Sequence, residues 1–379
     1  MAENIELLHE KHTGVLEVEG VLPVDNREEL GEAYTPGVAK LSKLIAKNPS
    51  LKVKYTVSGK LVAVITDGTA VLGLGNVGPE AGLPVVEGKA LLYKQLAGVT
   101  ALPLCLNQVK SSEMVTTIKN ISKSFSGIHL EDIAAPRCFE IEEQLKKQLN
   151  IPVYHDDQEG TAIVVLAGLF NAAKVVNKSL KDLKILINGV GAAGVATAKL
   201  LLDCGVKKLT LVDKYGSIDP MDVRHNTYQR DLAAKVQQKG SLKLSEAITD
   251  QDVFIGLSDA NVLTAEDVKK MAADPIIFAL ANPVPEILPE TALNAGAKIV
   301  ATGSSQYPNQ INNILVFPGL FRGLLESHLN NVDFALEKLV AQTLADLVPK
   351  PTNDDIIPGV FDLDVAKKVS DAVANYKRV

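Results

Sequence analysis

Residues 184–213 read KILINGVGAAGVATAKLLLDCGVKKLTLVD, and they carry the clearest indication of the fold. A short apolar run ends at Gly189, a helical pattern of small residues follows, and a second apolar run ends at Asp213. Glycines spaced as Gly189, Gly191 and Gly194 permit a tight turn and let a pyrophosphate approach the helix N-terminus. The stretch predicts the strand–helix–strand unit of a Rossmann-type nucleotide-binding domain; a glycine-rich turn without a ligand is the alternative.

Asp213 refines this prediction because it ends the second strand about two dozen residues after Gly189. A carboxylate there can accept hydrogen bonds from the adenosine ribose and disfavours a 2′-phosphate, which favours NAD over NADP. Lys214 and Arg224 are near in sequence and could neutralise that charge. The predicted cofactor-binding residues, including one from the later FALANP segment, are Gly189, Gly191, Ala192, Ala193, Gly194, Asp213 and Asn282.

The same alternation extends along the chain. Short β-branched runs alternate with helical patterns from residue 183 to residue 303, which is typical of a parallel, doubly wound sheet. Before them, KLVAVITDG at Lys60 and VTALPLCLN at Val99 flank a helical stretch that begins at Glu87. We predict an α/β protein with an N-terminal α/β catalytic domain (1–155), a Rossmann-type NAD-binding domain (156–312) and a C-terminal helical segment (313–379) that packs back.

Composition excludes several classes of protein. Of 379 residues, 46% are hydrophobic and 22% charged, which excludes disorder and suffices for a large core. The net charge of −6 argues against general attraction to nucleic acids or anionic membranes. The N-terminus lacks the features of a secretory signal, residues 161–173 read as a buried helix too short to span a bilayer, and the three cysteines lack disulfide or zinc spacing. We expect a cytoplasmic protein.

A second glycine motif, Gly73, Gly75 and Gly78, also follows a strand-like run. Because Pro79, Gly82 and Pro84 come next, we expect no uninterrupted helix to start there. The segment is predicted to be a loop, either a plain turn or a mobile wall of the active site.

Two acidic pairs, Glu131-Asp132 and Asp156-Asp157, follow apolar runs where strands are expected to end. Ligands gather at strand ends in α/β sheets, and carboxylates without neighbouring cysteines form an all-oxygen set that suits Mg²⁺ or Mn²⁺. The alternative is that each pair caps a helix, and Asp157 in DDQEGTAIVV is a plausible cap.

Four further polar residues are candidates for chemistry. Lys89 is a solvated lysine or, near a metal or in an apolar cleft, a base that loses its proton more easily. Tyr34, before a Pro-Gly turn, is a packed aromatic or a phenol able to transfer a proton. Asn282 and Asn313 adjoin apolar segments, where amides form turns or bind a small carboxylic acid.

Together these segments resemble the malic enzyme family in the short form of bacterial chains. The match covers most of residues 30–320 and rests on YTPGVAK, TDGTAVLGLGNVGPEAGLPVVEGKALLY, EDIAAPRCFEIE, HDDQEGTA, INGVGAAG, FALANP and NNILVFPG. The resemblance implies oxidative decarboxylation of L-malate to pyruvate and CO₂ with a nicotinamide cofactor and a divalent metal. It also implies a homodimer, in which the partner subunit can complete the active site.

By motif position, the resemblance makes Tyr34 the general acid and Lys89 the general base, and it makes Asp156, which lies beside the implied metal ligands, a further catalytic residue. Lys89 would take the C2 hydroxyl proton, directly or through Tyr34, as hydride passes to NAD⁺, and Tyr34 would protonate C3 after metal-assisted loss of CO₂. These groups are expected to converge in one cleft between the domains. The implied metal ligands are Glu131, Asp132 and Asp157, and the implied substrate contacts are Asn282 and Asn313.

Ala70 departs from the family pattern, because longer members carry an arginine at this place that contacts the substrate. Arg137 and Arg322 are candidate substitutes. The missing arginine favours, as an alternative, an oxaloacetate decarboxylase of the same family without net redox chemistry. Malolactic conversion is expected less, since those relatives resemble the longer chains, and a non-catalytic nucleotide-binding sensor would leave the lysine, tyrosine and carboxylates without a role.

Overall fold

The computed structural model describes residues 4–71, 73–236, 242–362 and 364–377. Within these ranges the chain forms two β-sheets with helices around them. Leu72, beside the first glycine motif, and the outermost residues of the predicted terminal segments lie outside the described residues.

The strands of the first sheet are β1 (Leu61–Thr66), β2 (Thr100–Cys105), β3 (Gly127–Leu130) and β4 (Val153–His155). Those of the second sheet are β5 (Lys184–Asn188), β6 (Lys208–Asp213), β7 (Gly216–Ser217), β8 (Val253–Gly256), β9 (Ile276–Ala279) and β10 (Ile299–Thr302). The helices are α1 (Ile5–His12), α2 (Arg27–Ala33), α3 (Gly37–Lys47), α4 (Lys52–Tyr55), α5 (Pro79–Ala97), α6 (Ser111–Ile121), α7 (Arg137–Gln148), α8 (Thr161–Val175), α9 (Ala192–Asp203), α10 (Thr227–Lys235), α11 (Leu244–Ala247), α12 (Ala265–Lys269), α13 (Pro289–Asn294), α14 (Phe317–Ser327), α15 (Phe334–Asp346) and α16 (Val365–Ala374).

The first sheet is parallel, with strand order β2-β1-β3-β4. The chain leaves β1 for β2 on one side and returns to β3 on the other, so the strand order reverses at β1. In open α/β sheets ligands bind at the carboxyl ends of the strands beside such a reversal. Glu131 and Asp132 follow β3 directly and Asp156 follows β4, which places the predicted acidic pairs at this edge.

The second sheet has the order β10-β9-β8-β5-β6-β7, and all pairs are parallel except the short β7, which runs antiparallel to β6. Its strand order reverses at β5, between β6 and β8. This topology confirms the predicted Rossmann-type doubly wound domain and places the turn after β5 at the nucleotide crevice. The exact domain boundaries remain a proposal.

The C-terminal helices pack back on both halves of the molecule, as predicted. α14 packs against α5 and α16, whereas α15 packs against α8 and α9. The predicted buried helix is α8, which is apolar on nearly all sides and largely buried. In the described part of the chain, no helix is both long enough and apolar enough to cross a membrane.

One expectation about the first glycine motif is wrong. α5 begins at Pro79 and continues through Gly82 and Pro84 to Ala97. Pro79 occupies the first helical position, where its missing N–H costs nothing and its fixed φ suits a helix. The long apolar remainder of α5 packs on β1 and β2, and we attribute the tolerance of Pro84 near the helix start to that packing.

Candidate active site

Three carboxylates converge where β3 and β4 end. Glu131, Asp132 and Asp157 each offer an oxygen atom within 4.8 Å of the other two. Asp132 has a left-handed backbone (φ 54°), and its N–H donates to Asp157 Oδ2 at 2.8 Å. Asp157 lies within a wide π-helical turn, Asp156–Gly160, and its side chain contacts the neighbouring loop, so the interpretation as a helix cap is wrong. The structure thus brings together the three predicted metal ligands.

The electrostatics of these carboxylates fit a bound cation. Burial, with the nearby charges of Asp157 and Glu131, raises the pKa of Asp132 to about 9. Burial also raises the pKa of Glu131 to about 7 and that of Asp157 to about 6. Asp132 Oδ2 is buried and has no hydrogen-bond partner among the described residues. An all-oxygen set of this kind suits Mg²⁺ or Mn²⁺, whose charge would favour the ionised carboxylates.

Lys89, on α5, lies directly beside these carboxylates. Its amine contacts Asp156, Glu131 Oε1 at 3.2 Å and Asn313 Oδ1 at 3.3 Å, and lies 4.8 Å from the centre of the Phe317 ring. Burial alone would lower the pKa of Lys89, but the charges of Asp156 and Glu131 outweigh it and raise the pKa. The environment of Lys89 in this structure therefore favours the ammonium form, because carboxylates surround the amine.

Asp156 is the buried anionic partner of Lys89. It accepts hydrogen bonds from the Lys89 amine and, at 2.6 Å, from the Tyr154 hydroxyl. Burial would raise the pKa of Asp156, but the charge of Lys89 and these hydrogen bonds lower it. Lys89 and Asp156, each predicted as a catalytic residue, are thus in close contact in the structure.

Tyr34, in contrast, lies apart from this cluster. Its side chain is 66% exposed and follows α2. Within the described residues, no hydrogen bond links the Tyr34 side chain to Lys89 or to the carboxylates. One chain therefore does not show the expected convergence of phenol, amine and carboxylates in a single cleft.

The two predicted amide contacts differ in their surroundings. Asn313 contacts Lys89 directly, as described above. Asn282 is partly buried, and its Nδ2 approaches the Leu280 carbonyl at 3.5 Å. A Cβ placed on Gly73 would come within 3.0 Å of the Asn282 carbonyl oxygen, so the first glycine loop packs against the segment after β9. This contact favours the interpretation of that loop as a wall of the site.

The turn after β5 has the shape that a pyrophosphate requires. Gly189 has φ 100°, and a Cβ there would collide with the Leu257 carbonyl after β8. A Cβ on Gly194 would likewise collide with the Gly189 carbonyl, whereas a Cβ on Gly191 would meet nothing within 4 Å. The open space at Gly191 adjoins the start of α9 at Ala192 and Ala193, where free N–H groups favour an anion. The residues present fit a dinucleotide.

Asp213 ends β6 at the far side of this crevice. Its Oδ1 accepts the Tyr215 N–H at 2.8 Å, and its Oδ2 lies 3.1 Å from His225 Nε2. Arg224, which could have neutralised Asp213, instead pairs with Asp222 at 2.5 Å. The carboxylate of Asp213 is therefore fixed in place, and Arg224 is engaged elsewhere.

The two candidate substitutes for the missing arginine lie in different places. Arg137 Nη1 donates to Asp67 Oδ2 at 2.8 Å, within the TDG segment, and its Nη2 donates to the Val109 carbonyl at 2.8 Å. Arg322 lies on α14 and pairs with Glu326. Of the two, only Arg137 contacts the loop that contains Ala70, and its guanidinium braces that loop.

The buried polar side chains behind the carboxylates were not predicted from the sequence. His129 lies 2.7 Å from Glu131 and 2.8 Å from the Tyr93 hydroxyl, and Tyr154 holds Asp156. Burial lowers the pKa of His129 to about 4. A signal was present: His129 precedes Glu131 by two positions, a spacing that places both side chains on the same side of an extended chain.

Two family models match the chain. The malic enzyme N-terminal domain matches residues 15–113, and the malic enzyme NAD-binding domain matches residues 158–378. An NAD-dependent malic enzyme from Geobacillus stearothermophilus is 47% identical over 95% of this chain and 76% of its own length. A bifunctional malic/malolactic enzyme from Bacillus subtilis is 48% identical over 97% of this chain and 90% of its own length.

The fold matches solved structures as well. The crystal structure of an NAD-dependent malic enzyme from Thermotoga maritima is 42% identical, covers 98% of this chain and 99% of that one, and superposes with a TM-score of 0.95. Other relatives, at 40 to 42% identity, bear the name NADP-dependent malic enzyme. The expectation that malolactic relatives are longer chains is wrong for the Bacillus protein, most of which this chain covers.

Proposed function

This chain belongs to the malic enzyme family, and from that premise we propose that it converts L-malate to pyruvate and CO₂ with NAD and Mg²⁺ or Mn²⁺. The observation that carries the proposal is the position of the Lys89 amine, in contact with Asp156, Glu131 and Asn313 beside three converging carboxylates. Oxidation of a 2-hydroxy acid followed by loss of CO₂ needs a proton acceptor next to a cation site. Lys89 is the proposed proton acceptor, and the three carboxylates are the proposed cation site.

We propose that Glu131, Asp132 and Asp157 hold the divalent ion through carboxylate oxygens. When bound, the ion supplies Lewis-acid stabilisation of the negative charge that develops on the substrate oxygen as CO₂ leaves. Asp156 is not in this ligand set and keeps the Lys89 amine in place. A bound cation would offset the carboxylate charges that keep Lys89 protonated in this structure and would lower the pKa of its amine. The neutral amine would then take the proton of the C2 hydroxyl, with NAD⁺ as the hydride acceptor, and Asn313 would help to orient the substrate.

We propose NAD as the preferred cofactor. The support is the Asp213 carboxylate, which would repel a 2′-phosphate, together with the pairing of Arg224 to Asp222. The open space at Gly191 would receive the pyrophosphate.

We also propose a homodimer in which Tyr34 serves the active site of the partner subunit. The support is exposure: α1, α2 and α3 contain no buried residue, and apolar side chains such as Val21, Leu22 and Leu30 are exposed on the single chain. Burying them against a second copy would lower the free energy by roughly 25 cal/mol per Å² of apolar surface. In that arrangement Tyr34 would protonate C3 after decarboxylation.

The proposed activity is tested by measuring NADH formation from L-malate. We expect turnover with NAD and Mn²⁺ that exceeds turnover with NADP and is abolished by a chelator. Lys89→Ala should lower kcat by about 10²–10⁴-fold, because a positioned proton acceptor is lost. Lys94→Ala, an exposed lysine on the same helix, is the matched control and should retain activity within about twofold. Robust turnover without metal would contradict the proposal.

Two alternatives have specific support. The absence of an arginine at Ala70 favours an oxaloacetate decarboxylase without net redox chemistry, which would release pyruvate from oxaloacetate yet leave malate untouched. The name of the Bacillus relative favours malolactic conversion as an additional activity. That activity would give lactate from malate without net NADH.

A cytoplasmic location is proposed with this function. Cys105, Cys138 and Cys204 are all unpaired thiols, as is usual for proteins of a reducing compartment. Cell fractionation with an antibody against the chain would test the location.

A further inference from the structure

His129 lies behind the proposed metal site and is surrounded by aromatic side chains. It belongs to β3 and is fully buried. The rings of Tyr93, Tyr154 and Phe317 each lie 5.6 Å from the His129 ring, centre to centre, and Phe321 lies at 6.2 Å. A polar ring in such surroundings costs free energy unless both of its nitrogens are hydrogen-bonded.

Both nitrogens of His129 have partners. Nε2 lies 2.7 Å from Glu131 Oε2, and Nδ1 lies 2.8 Å from the Tyr93 hydroxyl. A carboxylate that binds a cation is ionised and only accepts hydrogen bonds, so with the cation bound Nε2 would carry the proton and donate to Glu131. Nδ1 is then the acceptor, and the Tyr93 hydroxyl donates to it. The chain of hydrogen bonds runs in one direction, from Tyr93 through His129 to Glu131.

The two carboxylate oxygens of Glu131 therefore contact different partners. Oε2 is held from behind by His129, while Oε1 lies 3.2 Å from the Lys89 amine. His155 is also fully buried in this sheet, but its Nδ1 lies 3.6 Å from Asp157 Oδ2, and neither of its ring nitrogens has a hydrogen-bond partner among the described residues. The contact of His129 with Glu131, at 2.7 Å, is a hydrogen bond.

We propose that His129, oriented by Tyr93, is a positioning residue that fixes the Glu131 carboxylate as a metal ligand. This inference rests on the proposed function, because it assumes that Glu131 binds a divalent cation. Groups that hold metal ligands from behind typically contribute 10- to 100-fold to metal affinity. His129 would contribute in this way by restricting rotation of Glu131 before the ion arrives.

The test measures Mn²⁺ binding to the full chain in the absence of nucleotide and malate. Binding is detected as a loss of the electron paramagnetic resonance signal of free Mn²⁺. We expect His129→Leu to raise the Kd for Mn²⁺ by about 10- to 100-fold. His129→Gln keeps an N–H donor near the Nε2 position and should stay within about threefold of the wild type. Tyr93→Phe removes only the hydroxyl and should give an intermediate loss. Phe254→Leu, which creates a cavity in the second sheet, is the packing control and should keep wild-type affinity.

The possible outcomes distinguish a failure of this inference from a failure of the proposed function. Wild-type affinity in both His129→Leu and Tyr93→Phe would overturn the inference, and so would an equal loss in Phe254→Leu and His129→Leu. If His129→Leu does not fold, the comparison of Tyr93→Phe with the wild type decides alone. A wild-type chain that binds no Mn²⁺ would instead overturn the proposed metal-dependent function.

Discussion

At Gly160 the chain passes so close to the site that no side chain fits. A Cβ there would collide with Asp156 Oδ1 and the Tyr154 hydroxyl and would lie 3.1 Å from the Asn313 Cβ. The backbone of Gly160 is helical (φ −62°), a conformation open to any residue. Space, rather than backbone freedom, therefore requires glycine at this position.

Gly160→Ala should displace Asp156 and Asn313, both of which contact the Lys89 amine. We expect kcat to fall by about 10²-fold, because small displacements of positioned groups cost rates of that order. Gly168→Ala, in the next helix, crowds Ile311 and Phe278 in the core and should lower the melting temperature while leaving kcat within about twofold. Steady-state kinetics with both variants check this, and equal effects of the two on kcat would contradict the account.

The sequence predicted individual site residues better than their contacts. Glu131, Asp132 and Asp157 could be recognised because acidic residues after apolar runs mark strand ends. The contact between Lys89 and Asp156 could not, because it depends on α5 covering a sheet whose strand order no local pattern records. The raised pKa of Lys89 follows from that contact and was therefore equally hidden.

Among the helices and turns, a buried charge cluster supports the turn that carries Asp156 and Asp157. Lys146 on α7 pairs with Glu159 in that turn and with Glu142 at 2.7 Å. The Glu159 carboxylate also accepts the His155 N–H at 3.1 Å. Glu337 on α15 is buried against the same cluster.

Glu337 makes this cluster sensitive to pH. Burial, opposed by Lys146 and aided by Glu142, Asp333 and Asp203, raises the pKa of Glu337 to about 7 from an ordinary 4.5. The folded state thus binds the proton more tightly than the unfolded state, so this contribution to stability is full below pH 4.5 and is lost as pH rises through 7.

Glu337→Gln removes the titrating group, so the variant should be more stable than the wild type at pH 8, by about 1–3 kcal/mol, with the difference shrinking toward pH 5. Calorimetric unfolding in a chelator across that range measures it. Glu326→Gln, at an exposed site on α14, is the control and should show no such trend. Destabilisation by Glu337→Gln at pH 8 would contradict this prediction, because it would show that attraction between Lys146 and the ionised Glu337 outweighs the cost of burying the charge.

The helices also show where sequence rules fail. The run from Leu183 onward was predictable because strand and helix periods alternate with clear breaks. The start of α5 was not, since Pro79, Gly82 and Pro84 are breakers in isolation. Packing on the first sheet outweighs that local preference.

In the molecule as a whole, the single chain leaves its N-terminal helices α1, α2 and α3 exposed, and Tyr34 is exposed as well. If Tyr34 of one subunit serves Lys89 of the other, a mixed dimer of Tyr34→Phe and Lys89→Ala chains contains one site with both lesions and one intact site. We expect such dimers, isolated with two different tags, to recover about half of the wild-type activity, although each parent is nearly inactive. A mixed dimer without activity would show that both residues act within one chain.

The strand order of each sheet determines where the site residues lie. The reversals at β1 and β5 bring the carboxylates and the nucleotide turn to strand ends. The fold class followed from local periodicity, but a site shared between subunits would leave no periodic trace in a sequence. The proposed sharing would explain why Tyr34 was expected in a cleft in which one chain does not place it.

The central claim is that this site couples oxidation of malate to its decarboxylation. The most direct measurement is to count the products formed from L-malate, NAD and Mn²⁺ over the same interval. The account predicts equal amounts of NADH and pyruvate. Lactate without net NADH, or pyruvate formed only when oxaloacetate is supplied, would contradict it.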